Sequence, residues 1–245
     1  MTREQKIQAG LEALLPSFDS EAPRRLALYY DMLADWNTRM NLTGDTDFDV
    51  VLSRHFLDSV APLQHGELFP EKAKLADVGS GAGFPGLPLA IVRQDLQVTL
   101  IDSLSKRIGF LDAVSKELGL CNVKAVHARA EDAGRIDGLR EQFDISVARA
   151  VAPLSMLCEF LLPFVRIGGK AICYKGPAAK AEETAGNGAS VMLGGGKVEW
   201  IPVNLPGPPL WQHVLAIIEK KEKTIEKYPR KAGTANRMPL GASSR

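Results

Sequence analysis

The chain has 245 residues, with 30 Lys and Arg against 29 Asp and Glu, a net charge of +1. With 45% hydrophobic and 24% charged residues it has the composition of an ordinary globular protein, which excludes disorder throughout. Cys121, Cys158 and Cys173 lie far apart with no CxxC, which argues against a disulfide framework and a cysteine-based zinc site and fits a reducing compartment. No apolar run is long enough to span a membrane, and the N-terminal MTREQKIQAG lacks the apolar core of a secretion signal. A cytoplasmic protein is expected, with no membrane association.

Residues 1–70 read as a helical N-terminal extension. Ile7, Leu11, Leu14 and Leu15 recur at helical spacing up to Pro16, and Leu26, Tyr29, Tyr30, Leu33 and Trp36 form a second stripe. A third runs from Phe48 to Leu63. From Leu75 the pattern changes to short apolar runs alternating with helical segments. Strands are expected near Leu75–Val78, Val98–Ile101, Val123–Val126, Ile145–Ala148 and Ala171–Tyr174, with helices at Gly86–Arg93, Leu104–Leu118 and Ser155–Val165. Repeated strand–helix–strand units predict an α/β fold with a parallel sheet covered on both faces, over residues 71–220. Two more strands, Lys197–Val203 and Val214–Glu219, flank the connector NLPGPPLWQ, so the sheet should end in an antiparallel pair. That finish is known in S-adenosylmethionine-dependent methyltransferases. The Ala/Gly-rich stretch 178–196 reads as a short or frayed helix without an assigned role.

Residues 221–245 read as a basic C-terminal tail. From Glu219 onward eight Lys and Arg face three Glu, a local charge of +5, which leaves −4 for the rest. Such asymmetry suits either a polyanionic partner or a solvated, solubilising end.

The strongest local signal is LADVGSGAGFPGLPLAI. A strand runs into Gly79-Ser80-Gly81-Ala82-Gly83 and a helix follows, a turn that places a ligand at the carboxyl end of the first strand. Two registers compete there. Gly81, Gly83 and Gly86 spell GxGxxG, with Asp102 21 residues beyond Gly81, the dinucleotide pattern of an NAD(P)-dependent oxidoreductase. Asp77, Gly79, Gly81 and Gly83 instead give an acid followed by alternating glycines, the first directly after the strand. That register resembles the first motif of methyltransferases, and Asp77 would suit a ligand with a cationic amino-acid part. Asp102, at the end of the second strand, can accept both ribose hydroxyls or cap the next helix. Glu131 and Asp132 stand where the adenine is usually bordered in this fold class, or serve as helix-start charges.

RHFLDS (Arg54 to Ser59), DVGSGAGFPGLPLAI (Asp77 to Ile91), ARAVAP (Ala148 to Pro153) and YPRKAGTANRMPL (Tyr228 to Leu240) occur in this order. Together they resemble the glucose-inhibited division protein B family, the ribosomal RNA small-subunit methyltransferases G, over roughly Trp36 to Leu240. The resemblance implies a Rossmann-like, seven-stranded class I methyltransferase sheet. It implies transfer of a methyl group from S-adenosyl-L-methionine to N7 of a guanine, position 527 in the 530 loop of 16S ribosomal RNA. Its cofactor contacts fall on Gly79, Phe84, Asp102, Ser103, Leu104, Ala130, Glu131 and Arg149.

N7 of guanine carries an in-plane lone pair, so its methylation needs positioning and exclusion of water but no general base. The sequence has no Asn/Asp-Pro-Pro-aromatic motif and no Cys beside Pro, as other base methylations use. Arg149, just past the fourth strand, is the candidate catalytic residue, holding a phosphate, stacking on the base or bonding guanine O6; the alternative is an ion pair with Glu131 or Asp102. Lys175 suits a phosphate contact or a solvated strand end. Lys106, Arg107, Arg230, Lys231 and Arg237 are further candidates for contact with the RNA of the small ribosomal subunit. His55 is read as a structural hydrogen-bonder, and His55, His65, His127 and His213 show no metal-ligand spacing, so no metal is expected. A monomer is expected. A non-catalytic RNA-binding assembly factor with the same fold is the remaining alternative.

Overall fold

The computed structural model describes residues 1–149, 152–205 and 212–241. The core of the NLPGPPLWQ connector (206–211), Ala150 and Val151 of the ARAVAP motif, and Arg245 lie outside the described residues.

The chain opens with α1 (Arg3–Leu14) and α2 (Ala22–Asn37). Thr2 starts α1 with a capping box, its hydroxyl accepting from the Gln5 N–H while Gln5 accepts from the Thr2 N–H. The third apolar stripe is one continuous winding of α3 (Phe48–Val51), a π-helical segment (Leu52–Leu57) and α4 (Asp58–Val60). Then follow β1 (Lys74–Val78), α5 (Gly86–Val92), β2 (Gln97–Asp102), α6 (Ser105–Glu117), β3 (Val123–His127), α7 (Ala130–Ala133) and β4 (Phe143–Arg149). The remainder is α8 (Leu154–Leu161), β5 (Val165–Lys175), a 3-10 turn (Pro177–Glu182), α9 (Glu183–Met192), β6 (Gly195–Asn204), β7 (Gln212–Lys220) and α10 (Thr234–Arg237).

The seven strands form one sheet in the order β3-β2-β1-β4-β5-β7-β6. The first five run parallel, and β7 is antiparallel to both β5 and β6. From β1 the chain steps out to β3 and returns to β4 on the other side. The carboxyl ends of β1 and β4 therefore flank a topological switch point, where open α/β sheets leave a crevice for ligands.

Side chains alternate across the sheet with the period of a strand. Leu75, Leu100, Ile145, Val147 and Ile172 pack into the core under α2, α5 and α6. Ala76, Val78, Ala148, Ala171 and Ile218 pack against α8, α9, Tyr228 and Leu240 on the opposite face. The N-terminal helices thus close one face with α5 and α6, and the residues after β7 help to close the other.

Two expectations change. The helix expected over Ser155–Val165 ends at Leu161, and β5 begins at Val165, six residues before the expected Ala171. Gly168 turns at φ 81°, and a Cβ at Gly169 would lie 2.5 Å from the Asp144 carbonyl, so this irregular start needs glycines. The Ala/Gly-rich stretch holds a ten-residue helix, α9, whose small residues permit close packing: a Cβ at Gly186 would lie 2.6 Å from Leu154, and one at Gly188 2.9 Å from Gly241.

Candidate active site

The glycine loop leaves β1 along a path that side chains would block. Gly79, Gly81 and Gly83 have φ of 77°, 59° and 102°. A Cβ at Gly83 would sit 2.4 Å from Leu87 Cδ1 and 2.8 Å from Tyr29 Oη. The Tyr29 hydroxyl, fully buried on α2, donates to the Ala82 carbonyl, so the N-terminal extension holds the loop directly.

Two clefts open at this end of the sheet. The smaller, of about 370 Å³, is bounded by Gly79, Asp102, Ser103, Arg107, Ala128, Ala130, Glu131, Phe160, Gly233 and Asn236, among others. Asp102 is buried at its edge, with Oδ2 accepting from the Gly81 N–H at 2.9 Å and Oδ1 from the Leu104 N–H at 2.9 Å. Arg107 lies 3.4 Å from Oδ2. A carboxylate has about four acceptor positions, so capacity for a hydroxyl remains. Asp102 does not cap α6, whose first residue is Ser105. The Ser103 carbonyl accepts from His127 Nε2, and Leu104 is half exposed at 51%. Glu131 is buried and accepts the Gly233 N–H at 3.0 Å.

Asp77, which the sequence offered to a cationic ligand, has one carboxylate oxygen engaged and the other, Oδ1, buried without a hydrogen-bond partner among the described residues. It is fully buried, its Oδ2 takes the Gly86 N–H at 2.9 Å, and it lines neither cleft. Burial pushes its carboxyl up to about 7.

The larger cleft, of about 720 Å³, is bounded by Arg54, His55, Asp58, Arg149, Pro153, Tyr174, Lys175, Glu182 and His213, among others. Arg149 is its fixed centre. Nη1 donates to the Arg54 carbonyl at 2.9 Å and to Asp58 Oδ2 at 3.1 Å, Nη2 donates to His55 Nδ1 at 3.0 Å, and the guanidinium lies 4.9 Å from the Phe84 ring centre. Its ion-pair partner is therefore Asp58, neither Glu131 nor Asp102. Asp58 is 1% exposed and also holds the His213 ring on β7. π-Helical segments are frequent at functional sites, and this one, Leu52–Leu57, carries His55 and leads directly into Asp58.

His55 stacks on Phe84 at 4.8 Å and 18°. Arginine only donates, so His55 Nδ1 must accept and Nε2 carries the proton toward Thr43 Oγ1 at 3.2 Å. Burial, reinforced by the charge of Arg149, pushes the imidazole down to about 4, so it is neutral near pH 7. Sequence reading set His55 aside as structural and missed Asp58 and His213; the signal was RHFLDS itself, with His55 and Asp58 one turn apart.

The candidate RNA contacts separate into two groups. Lys106, Lys231 and Arg237 are exposed, and Arg107 is half-buried beside Asp102. Lys175 is not a solvated strand end: its ammonium meets both Glu182 oxygens, at 2.9 and 3.0 Å, and the Ala152 carbonyl. Arg230 is not a free basic arm: its guanidinium grips Glu159, which is 1% exposed. Residues 221–241 are folded onto the protein, with Tyr228, Ala235 and Leu240 buried.

Among the described residues no helix is long and apolar enough to cross a membrane, and no three His, Cys, Asp or Glu side chains cluster as metal ligands do.

A glycine turn after β1, an acid closing β2 and a sheet ending in an antiparallel pair define a class I, Rossmann-like methyltransferase fold. The fold matches a solved structure of a predicted O-methyltransferase from Agrobacterium tumefaciens, at TM-score 0.52 and 19% identity, over 69% of this chain and 81% of that one. The chain is 44% identical to a ribosomal RNA small subunit methyltransferase G from Alkaliphilus metalliredigens, over 96% of this chain and 97% of the relative. It is 43% identical to one from Clostridium botulinum, over 90% and 91%. The family model of rRNA small subunit methyltransferase G matches residues 23–205, and the chain belongs to that family.

Proposed function

We propose that the chain transfers a methyl group from S-adenosyl-L-methionine to N7 of guanine 527, in the 530 loop of 16S ribosomal RNA. The observation that carries this reading is the glycine loop that links the two clefts. Gly79 lines the smaller cleft, and Phe84 of the same loop packs against His55 and Arg149 of the larger one.

The smaller cleft fits the cofactor. Asp102 retains acceptor capacity for the ribose, Ala128, Ala130 and Phe160 offer apolar surface for a purine, and Gly79 lets the backbone come close. When bound, S-adenosylmethionine supplies an electrophilic methyl on a sulfonium. Membership in a methyltransferase family sets the dinucleotide register aside.

The larger cleft suits an unstacked nucleotide. Arg54, Arg149 and Lys175 line it against the two carboxylates Asp58 and Glu182, a balance of charge that favours phosphates. Asp58 and Glu182, its two carboxylates, are both engaged inside the protein. His55 is a weak base with its Nδ1 lone pair on Arg149. This arrangement matches a nucleophile with a ready lone pair: the residues orient the base and exclude water. Arg149, held on four sides, acts as a rigid wall between the clefts. Lys106, Arg107, Lys231 and Arg237 supply outer phosphate contacts.

The test is transfer of label from S-adenosylmethionine to small subunits prepared without the modification, followed by nucleoside analysis. Label in 7-methylguanosine at position 527 supports the reading. Label in another nucleoside overturns the N7 assignment, and no label with cofactor binding intact favours the non-catalytic assembly factor.

A further inference from the structure

The segment that follows β7 carries the charge asymmetry of the sequence, yet it is built into the protein. Arg140 donates to the Thr224 carbonyl at 2.6 Å and the Tyr228 carbonyl at 2.8 Å. Arg135 donates to the Pro229 carbonyl at 2.5 Å. Arg230 meets Glu159 with two parallel bonds, Nε to Oε1 at 2.9 Å and Nη2 to Oε2 at 2.6 Å, and its backbone N–H adds a third at 2.8 Å. A bidentate pair on a buried carboxylate fixes position and direction together. The chain then turns at Gly233, with φ of 80°, and delivers that N–H to Glu131.

This path brings Gly233 and Asn236 to the rim of the smaller cleft, beside Glu131 and Phe160. We propose that residues 228–241 form the adenine-side wall of the cofactor cleft, and that the Asn236 carboxamide reads the edge of the adenine. The inference rests on the cofactor reading given above and adds to it a segment and a specificity residue. Asp102 closes β2 and takes the ribose, so the base extends toward Ala130, Glu131 and the residues 233–236. Asn236 is exposed, and its carboxamide has no hydrogen-bond partner among the described residues. A carboxamide offers a donor and an acceptor in one plane, the complement of an adenine amino group and its neighbouring ring nitrogen. A 6-oxo purine reverses that pattern. Arg230 then works through the wall it pins, as a positioning residue, and does not bind RNA.

Calorimetric titration with S-adenosylhomocysteine and with its inosine counterpart, S-inosylhomocysteine, tests this without turnover. The unaltered chain should prefer the adenosine form by about tenfold or more, the loss expected for one mispaired polar edge. Asn236→Ala should bind the adenosine form about tenfold more weakly and discriminate less than about twofold, with the melting temperature of the free protein unchanged. Glu159→Gln should weaken both ligands together by loosening the wall. Wild-type affinity and discrimination in Asn236→Ala would overturn the inference alone. Absence of S-adenosylhomocysteine binding by the unaltered chain overturns the cofactor reading and this inference with it.

Discussion

Asp58 anchors both Arg149 and His213 in the larger cleft, and Asp58→Asn isolates its charge. The substitution keeps the shape but removes the charge facing Arg149, whose side chain is 13% exposed against 1% for Asp58. Removing one partner of a buried pair costs about 3–5 kcal/mol. The asparagine oxygen still accepts one bond, so the loss should fall near the lower end, about 3 kcal/mol. For a domain of this size each kcal/mol lowers Tm by roughly 2–4 °C, which gives a drop of about 6–12 °C. Asp58 does not line the smaller cleft, so affinity for S-adenosylhomocysteine should stay within about twofold, below the contribution of one hydrogen bond. Methyl transfer should fall by about tenfold or more once Arg149 and His213 lose their common anchor. Differential scanning calorimetry, calorimetric titration and single-turnover transfer read the three quantities. Unchanged Tm would refute the energetics of the buried pair. Lost cofactor affinity with transfer chemistry intact would refute the division of labour between the clefts.

Acid stability should carry a signature of His55. Its folded pKa of about 4 lies below the unfolded value, so between about pH 6.5 and 4 the unfolded chain binds a proton that the folded chain does not. Stability from this group therefore falls with pH, by about 2 kcal/mol at pH 5. Asp77, pushed up to about 7, acts with the opposite sign over about pH 4–7 and stabilises the folded chain as pH falls. Replacing His55 with Gln should leave Asp77's trend unmasked, and urea midpoints at pH 7 and 5 check this; equal acid sensitivity in both proteins contradicts it. Gly83→Ala, at φ 102° and with its Cβ against Leu87 and Tyr29, should melt lower and lose at least about tenfold in S-adenosylhomocysteine affinity, and wild-type binding would speak against the loop as a cofactor cradle. Lys106→Ala and Lys231→Ala should each reduce the slope of log K against log salt for ribosomal RNA by about 0.7 without changing cofactor affinity. An unchanged slope removes that residue from the RNA surface.

Where periodicity governed, the sequence was legible. The short apolar runs Leu75–Val78 and Val98–Ile101 mark strands buried on both faces, and the seven-stranded sheet with its antiparallel finish follows from the element order. The glycine loop was legible because positive φ at Gly79, Gly81 and Gly83 leaves few other residues eligible. What stayed hidden depends on partners distant in sequence. Arg149 meets Asp58 across 91 residues, and Asp58 meets His213 across 155. Neither pairing leaves a local pattern. The tail was read from its charge, and charge alone does not reveal that Arg230 faces a buried glutamate in α8. Likewise, the small residues of α9 read as a short or frayed helix until Leu154 and Gly241 are seen to occupy the space.

The division of one end of the sheet into a cofactor cleft and a nucleotide cleft is tested most directly by a crystal structure of the chain with S-adenosylhomocysteine. The ribose is expected on Asp102, the adenine between Ala130, Phe160 and the residues 233–236, and the sulfur beside the glycine loop, aimed past Phe84 toward Arg149. A nucleoside seated instead among His55, Lys175 and His213 would contradict it.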